Sequence, residues 1–239
     1  MDYERRQFLG LGVSGCFAGI ALGALPYFGC NTLQVKKNEN QLGVVEVSPV
    51  EDLMREHGAL NRVLLIYQEV IRRIDEKEDY KPKLLKTSAQ LIQSFIENYH
   101  EKLEEEYIFP RLKKAGKLVE LIDTLTTQHQ AGRRLTARVI ALSSPSHVKN
   151  DADLFKIKEA LSLFIRMYRP HEAREDTILF PEFKTLITPK EYDELGDKFE
   201  DKEHELFGKE GFEAVIDQIA GIEKDLGIYD LAQFTPKQI

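Results

Sequence analysis

Two stretches of the chain share one outline: HEKLEEEYIFP, His100 to Pro110, and HEAREDTILFP, His171 to Pro181. Each sets a glutamate four residues after a histidine, at Glu104 and Glu175. On a helix, residues i and i+4 lie one turn apart on the same face, so each pair can offer an imidazole nitrogen and a carboxylate oxygen side by side. Those are ligands for a metal ion. The following acids, Glu105 and Asp176, are turned a further ~100° and are expected to be solvated or to stand behind the ligands. Three more histidines, His57, His129 and His204, have no such partner, and His147 sits in a Ser-Pro-Ser-His loop where solvent exposure is expected.

The helices that must carry these residues are legible in the apolar spacing. A capping pattern opens the first at Ser48-Pro49-Val50-Glu51, running to about Asp75. Spacings of three to four continue over residues 83–111, 117–142 and 152–185, then again after a second capping pattern at Thr188-Pro189-Lys190-Glu191. The breaks EKEDYKP, KKAGK, SSPSHVKND and ITPK carry proline, glycine or clustered polar residues. A last helical pattern from about Glu210 is expected to pack outside the others. Strand alternation is nowhere convincing.

Antiparallel neighbours share a level when the turn lies midway between them in sequence. The midpoint of His57 and His100 is 78.5, inside EKEDYKP, and that of His129 and His171 is 150, inside HVKND. With 102 and 173 as centres of the two histidine-glutamate pairs, the remaining midpoints are 115.5, at Ala115-Gly116, and 188.5, at Thr188-Pro189. His57, His100, His129, His171 and His204 are therefore expected at one height. Moreover, His171, Glu175 and Pro181 each follow His100, Glu104 and Pro110 by 71 residues, while His129 follows His57 by 72. The chain reads as two helical hairpins, each giving a lone histidine and then His-x-x-x-Glu, followed by an extra helix bearing His204.

Five imidazoles and two carboxylates exceed the four ligands of a tetrahedral zinc. They suit two ions of higher coordination with bridging carboxylates. Iron is the expected metal, ahead of manganese or zinc. The only cysteines, Cys16 and Cys30, lie in the first 30 residues, which disfavours thiolate ligands and a disulfide framework.

From about Val50 to Gly208 these elements resemble the hemerythrin-like (HHE cation-binding) family. The resemblance implies an all-α fold, an up-down antiparallel four-helix bundle with additional C-terminal helices. It also implies a di-iron centre: His57 and His100 on one iron, His129 and His171 on the other, Glu104 and Glu175 bridging. His204 would complete one iron and leave the other open to dioxygen, nitric oxide or peroxide. The pattern departs from oxygen-carrying hemerythrin, whose third helix offers His-x-x-x-His, because Arg133 holds the i+4 position after His129. Near His171, Tyr168 and Met167 are expected to pack the core, with Tyr168 a candidate hydrogen-bond donor to a bound oxygen species. Pro170 is expected to kink its helix.

The remaining features place the protein. RRQFLG, with Arg5-Arg6 ahead of an uncharged run reaching to Lys36, resembles a twin-arginine export signal. The alternatives are an uncleaved membrane anchor, since about 20 apolar residues suffice to span a bilayer, and lipidation at Cys30, against which Tyr27-Phe28-Gly29 departs from the usual small residues. The expected organisation is signal or anchor 1–30, linker 31–47, bundle 48–208 and helical extension 209–239, in the periplasm. The 33 basic and 40 acidic residues, with a net charge of −7, make nucleic acid an unlikely partner. Three functions use such a centre: binding dioxygen or a related small ligand for storage, sensing or scavenging; reducing peroxide or nitric oxide or oxidising ferrous iron, which requires an external electron donor; and metal storage or a structural role.

Overall fold

The computed structural model describes residues 47–143 and 151–236. The twin-arginine stretch, Cys30, the linker up to residue 46 and His147 lie outside the described residues. From Ser48 onward the chain forms one compact unit. It contains α1 (Pro49–Asp75), α2 (residues 82–114), α3 (Val119–Leu142), α4 (residues 151–184), α5 (Pro189–Phe207), α6 (Gly211–Leu226) and a 3₁₀ turn, Leu231–Phe234. No strand occurs among the described residues, and none of their helices is long and apolar enough to cross a membrane.

The first four helices form the expected bundle, with α1 packed on α2 and α4, and α3 packed on the same two. A repeating 3-4 stripe selects the inward face. In α3 it reads Ile122, Leu125, His129, Gly132, Thr136, Val139, and in α1 it includes Val50, Leu53, His57, Leu60, Leu64, Tyr67, all buried. Each lone histidine thus occupies a core position of its helix rather than a flank.

The helix ends follow the local chemistry. Thr188 and Glu191 form a complete capping box. At Ser48 the hydroxyl accepts the Glu51 N–H. The Tyr192 hydroxyl accepts the Val50 N–H and donates to Ser48 Oγ, fastening α5 to the start of α1. KKAGK closes α2 as a Schellman motif, with Lys117 N–H on the Leu112 carbonyl at 2.9 Å, Gly116 N–H on that of Lys113 at 3.0 Å, and Gly116 at φ +68°.

Helices α2 and α4 depart from regular α geometry at wide π-helical turns, Ile92–His100 and Glu104–Ile108 in α2 and Glu175–Leu179 in α4. The repeated Phe-Pro explains two of them. Proline lacks an N–H, and its ring collides with the carbonyl four residues back. The helix widens, so that Phe109 N–H bonds the Glu104 carbonyl and Phe180 N–H that of Glu175, five residues back in each case. Both wide turns begin at the glutamates of the repeat. Pro170, by contrast, is accommodated inside α4.

Helix α5 lies against α1, and Tyr99 of α2 donates to the Phe199 carbonyl at 3.4 Å and to Glu203 Oε2 at 3.2 Å. Helix α6 packs on α1 and α2, where Arg62 grips Glu223 with Nε–Oε1 at 3.0 Å. Within the bundle, α3 and α4 approach closely at Gly132, where a Cβ would meet the Tyr168 hydroxyl at 2.0 Å. Gly132→Ala is therefore expected to cost about 1–3 kcal/mol through overpacking and to lower the thermal midpoint by several degrees. An unchanged midpoint in a calorimetric scan would show that Tyr168 is not seated against this helix.

Candidate metal centre

The histidines of the four bundle helices converge at one level. His57 (α1), His100 (α2), Glu104 (α2) and Glu175 (α4) bring one ligand atom each within 4.8 Å of one another, and His129 (α3), His171 (α4) and Glu175 do the same. All are buried, with Glu104, Glu175 and His129 at 0% exposure.

The carboxylates stand between the hairpins. Glu175 Oε2 is 3.3 Å from His57 Nε2, and its Oε1 is 3.1 Å from His171 Nε2. Glu104 Oε2 is 3.8 Å from His100 Nε2 and 3.5 Å from His129 Nε2. Each carboxylate therefore reaches an imidazole of both halves. No oxygen of either glutamate receives a well-formed hydrogen bond, although all four are buried. A buried carboxylate without donors is costly, and a shared cation is what would satisfy it.

The outward ring nitrogens are all held. His57 Nδ1 donates to Asp176 Oδ1 at 2.7 Å, His100 Nδ1 to Glu56 Oε2 at 2.8 Å, His129 Nδ1 to Glu105 Oε1 at 3.1 Å and His171 Nδ1 to Gln128 Oε1 at 2.9 Å. A ligating imidazole needs its proton on Nδ1 and its Nε2 lone pair directed inward, and these acceptors favour that arrangement. His129 and His171 bring these nitrogens within 3.2 Å of each other. Neutral imidazoles would repel in that position without a cation between them.

The contacts obey the internal repeat. Glu56 and Gln128, immediately before the lone histidines, orient the histidine of their own hairpin; Glu105 and Asp176, immediately after the glutamates, orient the lone histidine of the other. Likewise Phe109 stacks on His129 at 5.6 Å and Phe180 on His57 at 5.8 Å between ring centres. Each Phe-Pro thus places an apolar ring beneath the opposite histidine and opens the turn carrying the glutamate.

Several expectations change. His204, expected as a fifth imidazole, is not brought to the cluster. The buried face of α5 runs through Leu195, Phe199 and Glu203, and His204 lies ~100° round the helix from Glu203. Equal height does not fix rotation. Glu105 and Asp176 take the second of their two expected placements, behind the imidazoles of His129 and His57. The Tyr168 hydroxyl donates to Glu101 Oε1 at 2.7 Å, which commits it to a buried network instead of a bound ligand. Arg133 lies 2.7 Å from both Glu101 Oε2 and Glu105 Oε1, replacing the second histidine of the oxygen carriers with a charge that neutralises acids behind His129. Glu56, Gln128 and Glu101 were missed, yet Glu56 and Gln128 show the same 72-residue offset as His57 and His129.

Electrostatics show what the metal-free site must do. Burial pushes Glu104 well above the usual carboxylate range, and the nearby Glu175 reinforces it. Burial also opposes charge on Glu175, but His171 and His57 outweigh it and hold that carboxyl well below its ordinary value. Burial works against a charged His57, yet Asp176 and Glu175 together raise it to about 10. Burial holds His100 down to about 3, with His57 adding to it, and lowers His129 to about 4 against the pull of Glu105. Burial raises Glu101 to about 8 despite Tyr168 and Arg133.

The hemerythrin HHE cation-binding domain matches residues 48–144 and again 120–233. Uncharacterized proteins of Mycobacterium bovis and of two strains of Mycobacterium tuberculosis are each 48% identical over 192 residues, covering 80% of this chain and 75% of the relative. No solved structure gives a significant match.

Metal uptake must expel the proton that His57, raised to about 10, holds at neutral pH. At least one proton per chain should appear when anaerobic ferrous iron is added to the protein in weak buffer with a pH indicator. Because the ligands are the deprotonated forms, binding tightens as pH rises, by about tenfold per pH unit for each proton released. Uptake without proton release would contradict these ionisation states.

Proposed function

The chain belongs to the hemerythrin HHE cation-binding family, and from that premise we propose that it is an exported non-haem di-iron protein that binds dioxygen or a related small oxygen or nitrogen ligand. The observation that carries this reading is the position of Glu104 and Glu175, each between imidazoles of both hairpins with its own oxygens unsatisfied. His57 and His100 would hold one iron, His129 and His171 the other, and the two carboxylates would bridge. Manganese or zinc would accept the same nitrogens and oxygens, but zinc has no redox chemistry, and it is ferrous iron that binds dioxygen and nitric oxide.

The protein's own groups account for the rest. Asp176, Glu56, Glu105 and Gln128 keep the Nδ1 protons in place and the rings aimed inward. Phe109 and Phe180 exclude water on the flank where they stack. Two imidazoles per side leave the two metal positions alike, where a fifth imidazole would have filled one. That equivalence favours a second reading, the reduction of peroxide, which needs two electrons and hence both metals, and a separate electron donor. Export through the twin-arginine machinery to the periplasm rests on Arg5-Arg6 and the uncharged run that follows, and it suits a protein that must fold around its metal before crossing.

Protein purified without a metal-binding tag should hold about two irons per chain, with a near-ultraviolet charge-transfer band that bleaches on anaerobic reduction and returns with dioxygen. His204→Ala should leave both metal content and band unchanged. Sustained peroxide turnover with a reductant would place the protein among enzymes. Zinc, or no band, would remove oxygen chemistry and leave a metal-storage or structural role.

A further inference from the structure

On the outer face of the α3–α4 hairpin lies a groove of about 610 Å³, within the range of small-molecule sites. Its floor is aliphatic, including Leu135, Leu163 and Met167. Leu163 is 46% exposed there, an unusual setting for a leucine flanked by arginines. Three guanidinium groups, Arg134, Arg138 and Arg166, line the same groove. Arg138 pairs with Glu159 at 2.7 Å, whereas Arg134 and Arg166 make no ion pair among the described residues. In a chain of net charge −7, two uncommitted arginines beside an aliphatic floor mark a local reversal of charge. Gln128, which receives the His171 Nδ1 proton, closes the inner end.

These features define one kind of occupant. Guanidinium forks match carboxylates in bidentate geometry. The lining offers no aromatic ring on which a nucleobase or flavin could stack, only flexible aliphatic side chains suited to a hydrocarbon tail. We propose that the groove binds a free fatty acid anion, its carboxylate between Arg134 and Arg166 and its chain over Leu135, Leu163 and Met167. The occupant would lie against Gln128, behind the imidazole of His171, so the groove is joined to the metal centre by a single side chain. The proposal does not depend on which metal or reaction the centre supports.

The test is displacement of the fluorescent probe 8-anilinonaphthalene-1-sulfonate by laurate below its micellar concentration, on the full chain. Stoichiometric displacement is expected, weakened at least about tenfold in R134E/R166E and by less in R134K/R166K, which keeps the charge without the fork. Both arginines are exposed, and circular dichroism confirms that each variant is folded; R134A/R166A serves if charge reversal disturbs folding. Laurate affinity unchanged in R134E/R166E or R134A/R166A would overturn the proposal. So would equally tight binding of dodecylamine, or binding only to anionic phospholipid vesicles and not to monomeric laurate.

Discussion

Two buried carboxylates whose oxygens receive no well-formed hydrogen bond lie at the centre of a helical bundle, and the rest of the molecule is arranged around that cost. An isolated ionised carboxylate in such a setting is strongly disfavoured, and two near each other cannot both ionise without compensation. Among the protein's own groups, His171 and His57 hold the Glu175 carboxyl well below its ordinary value, while burial and Glu175 push Glu104 well above it. Two divalent cations would offset that cost more completely. Both glutamates could then ionise, and the lone pairs of His129 and His171, now 3.2 Å apart, would each face a cation.

The internal repeat makes this arrangement economical. One hairpin supplies a lone histidine, the acid or amide before it, a histidine-glutamate pair, the acid after it and a Phe-Pro. The second hairpin supplies the same set in the same order. Contacts run both within and across the halves: Glu56 to His100 stays inside a hairpin, while Glu105 to His129 and Phe109 to His129 cross between them. Each half orients its own His-x-x-x-Glu histidine, but the lone histidine of each is oriented only by the other half. The proline of each Phe-Pro contributes through the backbone, widening the turn that begins at the bridging glutamate.

Much of this was legible in the sequence because hydrophobic period and turn residues are local signals. The helix limits, the Thr188 cap, the break at KKAGK and the common level of four histidines follow from them. What midpoint arithmetic cannot supply is rotation about the helix axis, and on the helix of His204 it is Glu203 that holds the buried face. The wide turns also escaped, although the two prolines that favour them were in view. Glu56 and Gln128 look like ordinary surface residues beside a histidine until the partner helix is in place. Arg133 was visible as a departure from the oxygen carriers, but its role required knowing that Glu101 and Glu105 converge on it.

The most direct test is anomalous diffraction at the iron edge from crystals of iron-loaded protein. Two peaks are expected about 3.5–4 Å apart, flanking Glu104 and Glu175, one against His57 and His100 and the other against His129 and His171. A single peak, or metal held instead by Asp52, Glu56 and Glu203, would contradict the two-metal centre.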